Sequence, residues 1–199
     1  MSMHIDPEIE QKLRQGFKVM NKFMVFLWRL GMGPWFGLWP NGWGQIMVIT
    51  HTGRKTGNKY KTPVNFAELE GEVYCIAGFG KTADWYRNLI INPEVEIWLP
   101  NGWWKGIAED ISDSPKRPEI MRVVITASGF AGRMFGLNPK KLDDEALALA
   151  TSSYKVIHIH RKIPQTGPGG PNDLALVWQI AIFLLIPSLL SRRKKIKRS

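Results

Sequence analysis

Hydrophobic and polar positions divide the chain into a helical beginning, a strand-rich middle and an apolar end. Leu13, Phe17, Met20, Met24, Leu27 and Trp28 recur at helical spacing, with Lys12, Arg14, Lys18 and Lys22 on the basic side. This predicts a helix from a cap and first turn at Asp6 and Pro7 to about Leu30. Phe23, Val25 and Phe26 widen the apolar face beyond one stripe, which suits a membrane-surface or lid helix as well as one packed on its own domain. Gly31, Gly33 and Pro34 stop it.

From Ile46 the period changes. An apolar run, Ile46 to Ile49, is followed by Tyr60, Thr62, Val64 and Phe66 alternating with Lys59, Lys61, Pro63 and Asn65. A tight turn at Glu70-Gly71-Glu72 leads to a returning strand from Val73 to Ala77, closed by Gly78 to Lys81. Asp84 to Asn92 reads as a short helix capped near Thr82 and ended before Pro93. Glu94 to Leu99 and Trp103 to Ile111 make two more strands around Pro100-Asn101-Gly102. A helix from Pro118 to about Ala127, a bend at Ser128 to Gly132, a helical segment from Asp143 to Ala150 and a closing strand from Tyr154 to Arg161 complete the middle. Short antiparallel strands joined by hairpin turns predict a small barrel. The fold class is mainly β with flanking helices (α+β).

These patterns set four regions: an amphipathic helix and turn (1–34), a barrel domain (35–163), a Pro/Gly linker (164–173) and an apolar segment with a polybasic tail (174–199). Leu174 to Leu190 is seventeen residues without a charge, at the short edge of a membrane span.

Charge changes the picture mainly at that end. The formal net charge is +10, but Arg192, Arg193, Lys194, Lys195, Lys197 and Arg198 account for six of it, and without them it falls to +4. The basicity is thus a local patch, and a nucleic-acid role is not expected. The lone Cys75 forbids an internal disulfide, and the acidic N-terminus (Asp6, Glu8, Glu10) is not a secretory pattern, so a cytoplasmic location is expected. A full span would place the basic tail and the barrel on opposite sides. The expectation is therefore attachment to the inner face of the cell membrane, with Pro187 bending the segment and the tail on anionic headgroups. His158 and His160 share one strand face, but no third ligand is identifiable in the sequence nearby, and no metal site is expected.

The stretch with most chemistry is Thr50-His51-Thr52-Gly53-Arg54-Lys55-Thr56-Gly57-Asn58-Lys59-Tyr60-Lys61-Thr62. Four cationic side chains and several hydroxyls around two glycines can hold a phosphate or carboxylate. The spacing is not that of a Walker loop, and a solvated hairpin with Gly57-Asn58 at its tip would look the same. The rings of Trp35, Phe36, Trp39 and Trp43 in a Gly/Pro-broken segment could line an apolar ligand cavity, rest at a lipid interface or plug a core.

Several motifs together carry a resemblance: Leu30-Gly31-Met32-Gly33-Pro34, Thr50 to Gly57 leading to Thr62-Pro63-Val64, Asp84-Trp85-Tyr86-Arg87-Asn88-Leu89 and Asn92-Pro93-Glu94-Val95-Glu96. Over roughly residues 20–161 the chain resembles the deazaflavin-dependent nitroreductase family of split β-barrel, FMN-binding-like proteins. That resemblance implies coenzyme F420 (8-hydroxy-5-deazaflavin) as cofactor and a two-electron reduction of a small-molecule acceptor such as a quinone or nitroaromatic. It implies that Arg54, Lys55, Thr56, Lys61 and Pro63 hold the coenzyme's phosphate and acidic tail. Gly78, Phe79, Gly80 and Lys81 would line its phosphate and ring-proximal wall, and Trp85, Tyr86 and Asn88 would approach from the short helix. A homodimer is compatible with it.

One departure bears on the acceptor. Relatives place tyrosines after the fourth or fifth strand, whereas Thr126 to Gly136 has none and offers Ser128, Phe130, Met134 and Phe135. With Trp39 and Trp43, these suit a lipophilic acceptor. No acid, base or nucleophile stands out as catalytic. Two alternatives stay open: FMN in place of the deazaflavin, and a membrane-associated cofactor-binding protein without turnover.

Overall fold

The computed structural model describes residues 7–36, 44–129, 132, 138–139, 141–177, 180–183 and 185. Helix α1 spans Pro7–Arg29 and a four-residue helix α2 spans Gly33–Phe36. The turn between them passes through Gly31 at φ +86°, a backbone angle that L side chains rarely adopt. Strands β1 (Ile46–Thr52), β2 (Lys59–Leu69) and β3 (Glu72–Ala77) follow as antiparallel hairpins. Glu70 and Gly71 both have positive φ, 54° and 82°, the two-residue turn that matches strand twist. Next come a single 3₁₀ turn (Gly80–Thr82), helix α3 (Asp84–Ile91), strands β4 (Glu94–Leu99) and β5 (Gly102–Asp110), helices α4 (Arg117–Ala127) and α5 (Asp144–Ala150), and strand β6 (Lys155–Pro164).

The six strands close into an antiparallel barrel in the order β1-β2-β3-β6-β5-β4. Strands β3 and β4 are consecutive in sequence but not neighbours in the barrel, so the chain between them crosses one end. Helix α3 makes that crossing. Its Tyr86 and Leu89 are buried with Met47, Ile49, Phe66, Val73, Ile97 and Ile157 in the barrel core, and the helix plugs the end it crosses. The β1–β2 turn lies at the same end, because α3 follows β3, which runs antiparallel to β2.

Two helices pack outside. Trp28 of α1 is fully buried against Val48 of β1 and Trp98 of β4, with Val25 and Trp103 beside it. The Trp28 and Trp98 ring centroids are 6.4 Å apart. Ile120, Met121, Val124 and Ile125 of α4 cover Ala67 and Val156, and Leu147 of α5 joins that cluster.

Three features differ from the sequence expectation. Thr82 does not cap α3; its hydroxyl donates to Phe79 O within the 3₁₀ turn, and Ala83 precedes the helix without a side-chain cap. Strand β6 runs on to Pro164, one residue into the expected linker. The rest of that linker has no strand or helix but is tied down. Gln165 N donates to Trp103 O, Asn172 N to Trp28 O and Leu174 N to Arg29 O, and Arg29 makes a bidentate ion pair with Asp173. Beyond it, residues 175–177 and 180–183 are helical. Among the described residues no helix is long and apolar enough to cross a membrane.

Candidate functional site

The turn joining β1 to β2 is built by its glycines. Gly53 N donates to Asn58 O and Gly57 N to Gly53 O, both at 2.8 Å. A Cβ on Gly53 would meet the Tyr60 ring at 2.6 Å, and Gly57 sits at φ +69°. Tyr60 stacks on His51, with centroids 6.0 Å apart, and its hydroxyl lies 3.1 Å from Thr56 Oγ1.

Helix α3 grips this turn through one side chain. The buried Asn88 accepts at Oδ1 from Arg54 N (3.1 Å) and from Arg54 Nη1 (2.9 Å). Its Nδ2 is therefore left to donate to His51 Nδ1 at 3.1 Å, which places the ring proton of His51 on Nε2, 3.1 Å from Thr62 Oγ1. Burial drives the His51 pKa down to about 4 against a weaker opposing pull from Asp84, so the ring is neutral. Arg54 is held a second time by Asp84, with Nη2 to Oδ1 at 3.1 Å. The guanidinium is thereby fixed at the rim of the barrel end.

Further lysines lie on the turn itself, on β2 and in the 3₁₀ turn. Lys55, Lys61 and Lys81 are exposed and make no ion pair among the described residues; Lys61 lies 5.1 Å above the Trp98 ring. Lys59 differs, being paired with Glu96 at 2.7 Å. Thr50, the cross-strand partner of Lys61, keeps a buried hydroxyl with no protein partner among the described residues. Such a set is suited to a ligand with several negative charges, since the fixed guanidinium gives direction and the lysines give mobile charge.

The other positions implied by the resemblance fall around the same end, with different roles. Gly80 is buried at φ +53°, where a Cβ would come 2.1 Å from Ser153 O, so this loop can hold only glycine without moving. Gly78 and Phe79 are exposed beside it, Pro63 is half-buried on β2, and Trp85 is half-buried on α3. Tyr86 faces the core instead. Its hydroxyl donates to Asp110 Oδ2 at 2.5 Å, and burial followed by that bond raises its pKa. Cys75 is fully buried, which pushes its thiol pKa upward and leaves it inert.

Trp39, Trp43, Phe130, Met134 and Phe135 lie outside the described residues. The structure does bring together the places where their segments begin. Gln45 N donates to Ala127 O at 2.7 Å, and a Cβ on Gly44 would meet Ser128 O at 2.4 Å. Ser128 itself is buried, its hydroxyl donating to Val124 O. Beside this junction is an open pocket of about 360 Å³ between β2 and α4, lined by the charged Glu68 and Arg122, the polar Gln45 and Thr126, and Ala67, Val123 and Ala127.

A closed antiparallel six-strand barrel plugged by a helix, with flanking helices, is the split-barrel fold class. Residues 33–136 match the model of the F420H(2)-dependent quinone reductase family, and the chain belongs to that family. Among solved structures it is similar to an F420-H2 dependent reductase, FDR-A, at 18% identity over 58% of this chain and 94% of that one, with TM-score 0.43. It is similar also to a conserved hypothetical protein from Mycobacterium tuberculosis (17% identity, 63% and 85% covered, TM-score 0.43). A third is HutZ, the heme storage protein from Vibrio cholerae (11% identity, 62% and 88% covered, TM-score 0.43).

Proposed function

We propose that this protein is a reductase that binds reduced coenzyme F420 in the cradle of Arg54, Lys55 and Lys61 and reduces a lipophilic small molecule such as a quinone. The observation that carries the reading is the Asn88-fixed Arg54, with Lys55, Lys61 and Lys81 making no ion pair among the described residues, in the F420H(2)-dependent quinone reductase family. The donor set fits the group. A phosphate followed by an acidic tail presents more negative charge than FMN, and three lysines without ion pairs exceed what one phosphate requires.

When bound, the coenzyme supplies a hydride from C5 of its deazaflavin ring. The chain's part is to fix the phosphate through Arg54, gather the tail on Lys55 and Lys61, and keep the plugged barrel end rigid beneath. A quinone that accepts the hydride takes one further proton from water to become the hydroquinone. The acceptor has to lie against C5 of the bound ring, and the aromatic and apolar residues of segments 37–43 and 130–137 are the candidates for its lipophilic wall.

The test is a titration of reduced F420 and of FMN against wild type, Lys55→Ala and the Arg54→Ala, Lys55→Ala pair. Lost charge-assisted hydrogen bonds cost about 1.5–3 kcal/mol each, so the pair should weaken F420 binding at least tenfold. FMN should bind wild type more weakly than F420 does. Equal F420 affinity in the pair, or no binding to wild type, would overturn the assignment. Steady oxidation of the reduced coenzyme on adding menaquinone separates a reductase from a carrier without turnover.

The same reading includes a lipid surface as the source of the acceptor. Leu176, Val177, Ile180 and Phe183 are each more than half exposed, as are Val19 and Phe23 of α1, and the polybasic tail follows. Apolar side chains beside clustered Lys and Arg favour shallow attachment to anionic lipid.

A further inference from the structure

We infer that His158, His160 and Glu72 form a binding site for one borderline divalent cation of the Zn²⁺ type on the outer wall of the barrel. The two histidines are two residues apart on β6, so both project outward while Ile157 and Ile159 are buried inside. The third ligand comes from a strand distant in sequence. Tyr74 pairs with His158 and Val73 with Ile159, which brings Glu72, at the start of β3, level with His160. Nitrogen and oxygen ligand atoms of the three side chains all lie within 4.8 Å of one another. A tetrahedral zinc ion with bonds of about 2.0–2.1 Å holds its ligand atoms roughly 3.4 Å apart, so small side-chain rotations close the site.

The surroundings are those of ligands held in place. His158 Nε2 lies 2.7 Å from Glu72 Oε2, and the His158 and His160 ring centroids are 3.8 Å apart. Tyr74 stacks on His158 at 4.6 Å, fixing its plane. On the far side Glu109 of β5 takes His160 Nε2 at 2.9 Å, an outer carboxylate of the kind that orients metal-bound imidazoles. Two imidazoles and a carboxylate suit zinc, with nickel and copper as competitors, and disfavour magnesium and calcium. All of the side chains keep some exposure, which leaves coordination positions for water or another ligand.

The site is separate from the coenzyme cradle. Strand β6 is three strands from β1 in either direction around the barrel.

The measurement is isothermal titration of Zn²⁺ into the full chain without an added histidine tag, alongside His160→Ala, Glu72→Gln and Glu109→Gln. Wild type should take up one ion per chain. His160→Ala and the isosteric Glu72→Gln should lose at least tenfold in affinity, and Glu109→Gln about ten- to a hundredfold. F420 titration and thermal melting of the same variants should match wild type, which separates a lost ligand from a lost fold. Absence of zinc uptake by wild type, or uptake unchanged in both His160→Ala and Glu72→Gln, would overturn the proposal.

Discussion

Asn88 is where the binding end and the barrel core meet. One amide fixes the guanidinium of Arg54 and the ring of His51, so its loss should be felt by both. In Asn88→Ala, buried groups lose their partners at about 1–3 kcal/mol each. Thermal melting should record that loss, and F420 affinity should fall although Asn88 lies beneath Arg54. His51 adds a pH dependence. Its pKa is about 4 in the folded protein against an ordinary 6.5, so the unfolded chain binds the extra proton between those values. The sign follows: this contribution is complete above pH 6.5 and is lost as pH falls toward about 4, to a limit of about 3 kcal/mol. Melting temperature followed across that window should drop in wild type and change less in His51→Gln. The sequence exposed Arg54 and Asn88 as chemistry-bearing residues, through the motif that holds each. It could not show that they touch, because thirty-four residues separate them and only the plug brings them together.

At the scale of elements, periodicity located most strands and helices to within a residue or two, since each buries a face against the barrel. The turn at Glu70-Gly71 was legible through Gly71, which adopts a positive φ without steric cost, whereas Glu70, also at positive φ, carries no such signal. What the pattern could not show was pairing order. The neighbour of β6 on one side is β3, so Glu72 reaches His158 across a gap of 86 residues, and no local spacing signals it. The 3₁₀ turn at Gly80–Thr82 was missed for a related reason, because Gly80 is fixed by contact with Ser153 on a distant loop. Helix α1 supplies the test at this scale. Met24, Val25 and Trp28 lie three, four and seven residues after Asn21, and Trp28 is the fully buried anchor among the helix's described side chains. Trp28→Ala should cost about 3–5 kcal/mol of docking. Limited proteolysis should then cut within α1 while the barrel survives, and cleavage no faster than in wild type would show that other contacts hold the helix.

Across the whole molecule, apolar exposure is uneven. The barrel hides its large side chains well, while α1 and residues 176–185 leave many uncovered, and Arg29–Asp173 pins the start of the second stretch to the end of the first. If these surfaces meet lipid, full-length protein should co-sediment with vesicles containing phosphatidylglycerol and less with neutral ones. A chain ending at Pro171 should stay in the supernatant, and equal partitioning of both chains would remove the lipid surface from the account. The residues proposed for the coenzyme and for the acceptor come from different parts of the chain. The clamp sits on the β1–β2 turn and α3, whereas the aromatic segments set out from a joint at Gly44 and Ser128, near the opposite end of β2. For an engineer this separation means that the range of molecules reduced can be diversified by rebuilding residues 37–43 and 130–137 as a library, with the electron donor's mooring left untouched.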